Sequence, residues 1–195
     1  MKFKFNPKKS AQAAHLLLRL SGENRKLNYM VLVKLLYLSD RAALMALEAP
    51  ITGDRLAALP YGPVVGHVLN LIRLGPANEE DAPWFDAVSP PTGYDVVALD
   101  DPGDDELSNA EETILRQVWE EYGTKDWKEL SRLTHRLPEW VDPNGSSVPI
   151  APEQILMLAG KSMQDIDRIR DEQAVFRRLD EDIAAYAVAE PASVW

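Results

Sequence analysis

A chain of 195 residues with 46% hydrophobic and 27% charged side chains is long enough for one domain, or at most two, and has an ordinary soluble composition. Its net charge of −10 is uneven: residues 1–41 carry +7 and the rest −17, which argues against nonspecific nucleic-acid binding and suits a basic protein partner. No apolar run approaches the ~20 residues of a membrane span, and zero cysteines exclude disulfides and thiolate metal sites.

The chain opens on "MKFKFNPKKSAQ", which is basic but has no apolar stretch or cleavage site of a secretion signal after it. Together with the lack of cysteine, this fits a reducing cytoplasm, the location expected for the chain. Alternating Lys and Phe let Phe3 and Phe5 add as an edge strand to a partner, or pair with the protein's own hairpin. The spacing predicts a helix over 7–20, with Asn6 as N-cap and Gly22 just past its end. Residues 27–47, "LNYMVLVKLLYLSDRAALMAL", are apolar on nearly every side, the pattern of a central buried helix. At 100° per residue, Lys34, Tyr37, Arg41 and Glu48 form one narrow polar seam, with Asp40 well to its side. A solvated edge or an internal ion pair is the first reading of that seam, and a functional surface the second.

"ITGDRLAAL" (51–59) reads as a short strand or extended connector with a turn at Gly53-Asp54. Pro63 suits a first helical turn and Gly62 the cap before it, so a helix is predicted over 63–74. Val64, Val65, Val68, Leu69, Leu71 and Ile72 share its apolar face; Gly66, His67, Asn70 and Arg73 share the other. Residues 84–99 alternate around Pro-Pro-Thr-Gly and predict a β-hairpin. Ser108 and Glu111 form a capping-box pattern for a helix to Tyr122, ended by Gly123. A second helix runs from Thr124, its apolar face including Trp127, Leu130 and Leu137, to a stop at Pro138. Residues 141–149 are a loop, Pro152 opens a short helix, and Ser162 caps a long one to Ala189. In that last helix Ile169, Phe176 and Ile183 recur every seven residues, joined by Leu179 and Tyr186, a stripe for the chain's own core or for a partner helix. The architecture expected is mainly α: a compact multi-helix domain over 1–150 with a small β-hairpin, and a C-terminal helical extension over 151–195 packed on it.

Motifs for chemistry are thin. "AGKS" (159–162) ends like a phosphate loop, but Ile155 stands where the first glycine of G-x-x-x-x-G-K-[ST] belongs, and the segment follows a helix. There is no G-x-G-x-x-G, and His15, His67 and His135 are scattered without a metal-ligand spacing, so neither cofactor nor metal is expected. Asp54 with His67 or His135 could form an acid/base pair only if the fold brought them together. No catalytic residues are assigned, and a small hydrolytic enzyme using Asp54 and His135 is the least favoured reading.

Two blocks, "KLLYLSDRAAL…PITGDRLAALPYGPV" (34–64) and "LSNAEETILRQVWEEYGTKDWKELSRLTHRLPEW" (107–140), carry a family resemblance. In this order, they are similar to the Panacea domain, the SocA-like antitoxin family of bacteria and their phages. The positions that carry it are Lys34, Asp40, Arg41, Gly53, Asp54, Pro60, Gly62, Pro63, Thr134, His135 and Trp140. An aromatic residue often stands in the family two positions after Gly-Asp, where this chain has Leu56. The resemblance implies a mainly helical fold with a small hairpin, and an antitoxin that neutralises a toxin encoded beside it by direct contact. Some relatives look instead like adaptors that hand a toxin to a cytoplasmic protease. Gly53, Gly62 and Pro63 read as backbone geometry and Trp140 as a core or helix-end plug, while Lys34, Asp54 and His135 are candidates for a polar cluster tying helices to the connector. Candidate partner-binding residues are Phe3, Phe5, Tyr61, His67, Asn70, Arg73, Phe176 and Ile183.

Overall fold

The fold is built on one helix in which ten consecutive residues are all buried. In the computed structural model, which describes residues 1–189 and side chains through 183 except 180 and 181, helix α2 spans Tyr29–Leu47. Asn28 caps it by accepting from the Met30 N–H at 2.9 Å, and every residue from Val31 to Asp40 is buried. Around it pack α1 (Pro7–Leu20), α5 (Asn109–Tyr122), α6 (Trp127–Thr134) and α7 (Pro152–Leu158). Helix α1 turns Ala11, Ala14, Leu17 and Leu18 inward, and its Asn6 cap is as expected, accepting from the Lys9 N–H at 3.0 Å. The Ser108/Glu111 capping box of α5 is also present.

Two small sheets fill the gaps between helices. Strand β1 (Lys26–Asn28) pairs antiparallel with β4 (Asp95–Val97), Leu27 opposite Val96. Strand β2 (Leu56–Leu59) is the centre of a three-stranded sheet, flanked by β3 (Gly62–Val65) and β5 (Val148–Ile150). Leu59 faces Gly62 across the two-residue turn Pro60-Tyr61, and Leu56 faces both Val65 and Ile150.

Five expected elements differ, the first being the loop read over 141–149, whose end is strand β5, paired with β2 through Val148 and Pro149. The helix predicted from Pro63 opens at Gly66 (α3, Gly66–Leu74), and Gly62-Pro63-Val64-Val65 is a strand instead. All four strand residues are buried, so the period-2 alternation that marks a half-exposed strand is missing. Pro63 fits because the Gly66 N–H donates to Arg55 O at 2.9 Å, which puts Pro63 at a ladder position that needs no donor. The hairpin predicted over 84–99 is half helical: Asn78 caps a 3-10 turn at Glu79–Asp81, and α4 (Ala82–Ala87) follows with Pro83 in its first turn. Trp84 and Ala87, three apart, are its buried pair, and the two arms are joined by the isolated bridges Val88–Ala98 and Thr92–Asp95 in place of a continuous hairpin ladder. Helix α6 starts at Trp127, not Thr124, because Asp126 accepts from the N–H groups of Lys128 and Glu129, both at 2.8 Å. It ends at Thr134 rather than at Leu137, which precedes Pro138 and is biased out of helix. Finally, "KFKF" forms no strand. Residues 1–6 cross the Gly53 turn, the Asn6 N–H bonds Thr52 O, and Phe3 and Phe5 pack half-buried on the main core.

The long C-terminal helix, α8, spans Met163–Ala189, and the Ser162 cap pairs with Asp165 as its sequence suggests. Its root is held in two ways. Ile166 and Ile169 bury against Leu156 of α7, and Glu48, just past α2, pairs with Lys161 at 2.5 Å and Arg168 at 2.9 Å. The heptad stripe splits here, since Ile169 is buried while Phe176, Leu179 and Ile183 are exposed; the Tyr186 side chain lies outside the described residues. Half-exposed ion pairs contribute about 0–1 kcal/mol each, whereas truncating a buried isoleucine costs about 2–5. Ile166→Ala is therefore expected to raise hydrogen exchange along residues 163–172 far more than Glu48→Ala, and equal protection in the two variants would refute this ranking.

Candidate functional site

The motif residues gather into two buried polar clusters, one at the turn of the β2–β3 hairpin and one at its open end. In the first, Lys34 on α2 is fully buried, and its Nζ donates to Tyr61 O at 2.5 Å and to Thr134 Oγ1 at 3.4 Å. Ser131 of α6 donates to the same Tyr61 carbonyl at 2.9 Å, so two helices grip one turn oxygen. Thr134 in turn donates to Leu130 O at 2.7 Å. Among the described residues no carboxylate pairs with Lys34, and burial alone pulls its pKa down to about 8. Gly62 closes the cluster: its φ is +101°, and a Cβ there would lie 2.5 Å from Thr134 Oγ1 and 2.7 Å from Lys34 Nζ. His135 lies next to that spot and stacks on Trp140 at 4.2 Å, while the Trp140 indole donates to Leu59 O at 3.2 Å. Both ends of the hairpin turn are thus tied to the α6 exit.

Further along the same stripe of α2, Tyr37 and Arg41 both donate to Glu139 Oε1, at 2.8 and 2.6 Å. The Glu139 side chain is fully buried, and burial together with this carboxylate pushes the Tyr37 phenol well above its usual range. The seam of Lys34, Tyr37 and Arg41 is therefore an interior one.

In the second cluster, Asp40 accepts from the Ile51 and Thr52 N–H groups, each at 2.9 Å, and from the Thr52 hydroxyl. Burial nevertheless pushes its carboxyl up to about 7, the nearby Asp54 adding to the rise. Asp54 accepts from the His67 and Val68 N–H groups at 2.8 and 2.9 Å, so it caps α3 from outside that helix. Its pKa is raised as well, by burial that these donors only partly offset. His67 contacts Asp81 at 3.1 Å and the Phe5 ring at 4.2 Å. Burial raises the Asp81 carboxyl, but the Ala77 N–H, His67 and the Asn78 N–H outweigh it and hold the pKa below the usual carboxylate value. Gly53, at φ +68°, lets Lys4 O cross where a Cβ would stand 2.0 Å away.

The expected polar cluster of Lys34, Asp54 and His135 is thus two clusters: Lys34 and His135 meet at Gly62, while Asp54 sits with Asp40 and α3. An Asp54–His135 acid/base pair is not formed, because each side chain is committed to a different element. Among the described residues no three His, Asp or Glu side chains gather to hold a metal ion. Of the proposed binding residues, Phe3, Phe5 and His67 are half-buried in the protein's own packing, Asn70 is exposed on α3, and Phe176 and Ile183 are 60% and 59% exposed on α8. Tyr61 and Arg73 line a cleft of about 640 Å³ above the hairpin turn. Sequence reasoning missed Glu139, the carboxylate partner of the seam, and Ser131, which shares the Tyr61 carbonyl with Lys34, because nothing local marks contacts made 70 to 102 residues away.

Two consequences are measurable. Gly62→Ala forces a side chain into both an unfavourable φ and the Lys34–Thr134 contact, so a loss of about 2–4 kcal/mol in urea unfolding is expected. Lys34 binds its proton less tightly folded than unfolded, so the native state holds fewer protons between pH 8 and about 10 and stability from this group rises across that window. The unfolding free energy of the wild type should therefore climb relative to that of Lys34→Met from pH 8 to pH 10. A constant difference would show that Lys34 is not desolvated.

No helix among the described residues is long and apolar enough to cross a membrane. No curated protein and no solved structure matches the chain. The family model for antitoxin SocA-like, Panacea domain, matches residues 32–141, a span that runs from α2 to the Trp140 plug and contains both polar clusters. With more than half of its length so matched, the chain belongs to the SocA-like Panacea-domain antitoxin family.

Proposed function

We propose that this protein is the antitoxin of a toxin–antitoxin pair and silences its cognate toxin by direct protein–protein contact. Family membership is the observation that carries the reading. The geometry supports it, because the family's polar positions are engaged inside the fold as framework and leave exposed aromatic surface for contact. Blocking needs no chemistry, only an interface of about 1,200–2,000 Å² over the toxin's working surface or over a segment it must move. The net charge of −10 would speed capture of a basic toxin, such as one that handles nucleotides or nucleic acid. The proposed setting is the cytoplasm.

The test is the product of the neighbouring reading frame. Expressed alone it should arrest growth, and co-expression with this chain should restore growth and yield a complex that co-purifies. Raising salt from 50 to 300 mM should slow association about ten-fold or more while changing dissociation little, as expected for steering by net charge. A harmless neighbour, or no binding, would refute the assignment. Restored growth with a protease-dependent loss of the toxin, rather than a stable complex, would replace blockade with the adaptor reading.

A further inference from the structure

We infer that the cleft above the Pro60-Tyr61 turn is the docking groove for the toxin, and that it takes a segment bringing apolar or aromatic side chains beside a carboxylate. The inference rests on the antitoxin reading and names the surface that reading leaves open. The walls come from separate parts of the chain: Tyr29 at the start of α2, Tyr61 at the hairpin turn, Tyr94 before β4, and Trp127 at the start of α6. Leu69 and Arg73 of α3 complete it. Tyr61 and Tyr94 are 61% and 67% exposed, unusual for large aromatic side chains with nothing over them.

These aromatics are paired and held before any partner arrives. Tyr61 meets Trp127 edge-on at 6.0 Å, and Tyr29 stacks on Tyr94 at 6.0 Å. Below them, the Tyr61 backbone is fixed by Lys34 and Ser131 through its carbonyl. A rigid aromatic rim loses little conformational freedom on binding, which is where most of the cost of ordering an interface arises. Tyr, Trp and Arg are also the residue types that dominate binding hot spots.

Charge selects the occupant. The chain has 31 Asp and Glu residues, yet none lines this cleft; its single charged lining residue is Arg73. Among the described residues Arg73 has no acidic partner, which is also true of Arg25, Arg55, Arg132 and Arg136, but of these it alone lines the cleft. A guanidinium beside tyrosine and tryptophan faces is matched by a carboxylate carried next to apolar side chains. The Lys128 ammonium, 5.7 Å over the Trp127 ring, adds positive charge near the same wall.

The experiment uses the full chain and the purified neighbouring gene product, with affinity measured for the wild type first. Tyr61→Ala leaves the turn carbonyl in place and Arg73→Glu changes an exposed side chain, so neither should alter the urea midpoint. Each is expected to weaken binding roughly 30-fold or more, the size of a hot-spot loss. A carboxylate-to-lysine change in the toxin should restore binding to Arg73→Glu alone. Phe176→Ser tests the competing face on α8. If the wild type binds while both groove variants bind equally well, or if Phe176→Ser carries the loss instead, the groove inference falls and the antitoxin reading stands. If a small molecule fills the cleft without competing with the toxin, the inference falls too. If the wild type does not bind at all, the antitoxin reading fails and the groove inference goes with it.

Discussion

Burying ten consecutive residues of one helix compels every polar group among them to find its partner inside the protein. Lys34, Ser39 and Asp40 lie in that stretch of α2, and the partners they take decide where other segments must run. Ser39 satisfies itself on Leu35 O, which constrains nothing else. Lys34 needs acceptors and reaches the hairpin turn and α6, while Asp40 needs donors and draws in the backbone at residues 51–52. Where α2 comes to its end, Arg41 binds the α6 exit through Glu139, and Glu48 binds α7–α8 through Lys161 and Arg168. One helix therefore sets the position of three separate parts of the chain.

This arrangement is a source of geometry more than of stability. Burial acts against the charged forms of both Lys34 and Asp40, since it draws one pKa down to about 8 and the other up to about 7. Their signs work in opposite directions along the pH axis. Asp40, with a native pKa above its unfolded value, contributes most below pH 4 and loses that contribution as pH rises towards 7; Lys34 regains stability only above pH 8. Near neutral pH the protein carries the cost of one or both charges. Apolar residues of similar volume would often do as well energetically, but they would not distinguish one turn position from its neighbour. A backbone carbonyl gripped by an amine and a hydroxyl from two helices has one register. This explains why Gly62 is needed at the contact: any larger residue would separate the groups that define it.

How much of this the sequence revealed depended on whether the determining contact was local. The Asn6 cap, the Ser108/Glu111 box and the buried middle of the helix read over 27–47 were legible because a cap spans three residues and an apolar helix announces itself over five turns. The strand at Gly62–Val65 was not, because burial on both sides erased its alternation and Pro63 imitated a helix start. The arm at Ala82–Ala87 was misread for the reverse reason, since apolar and polar residues there alternate by coincidence while Asn78 and Pro83 set a helix. The polar seam of α2 was visible, but its meaning was not. Lys34 and Arg41 look alike on a helical wheel, and only the fold shows that one meets a carbonyl and the other a carboxylate. Arg73 and Tyr61 could be named as surface residues, yet their meeting in one cleft depends on tertiary placement.

Long-range charge and short-range fit need not have the same sign, and in this molecule they differ. A field of −10 acts over the Debye length of about 8–10 Å at physiological salt and attracts a basic body from any approach. Within the cleft the field gives way to contact, and there a bare arginine among aromatic rings prefers a carboxylate. A partner basic overall but acidic at its docking segment satisfies both. Attraction then governs how often the two proteins meet, and the groove governs which orientation persists.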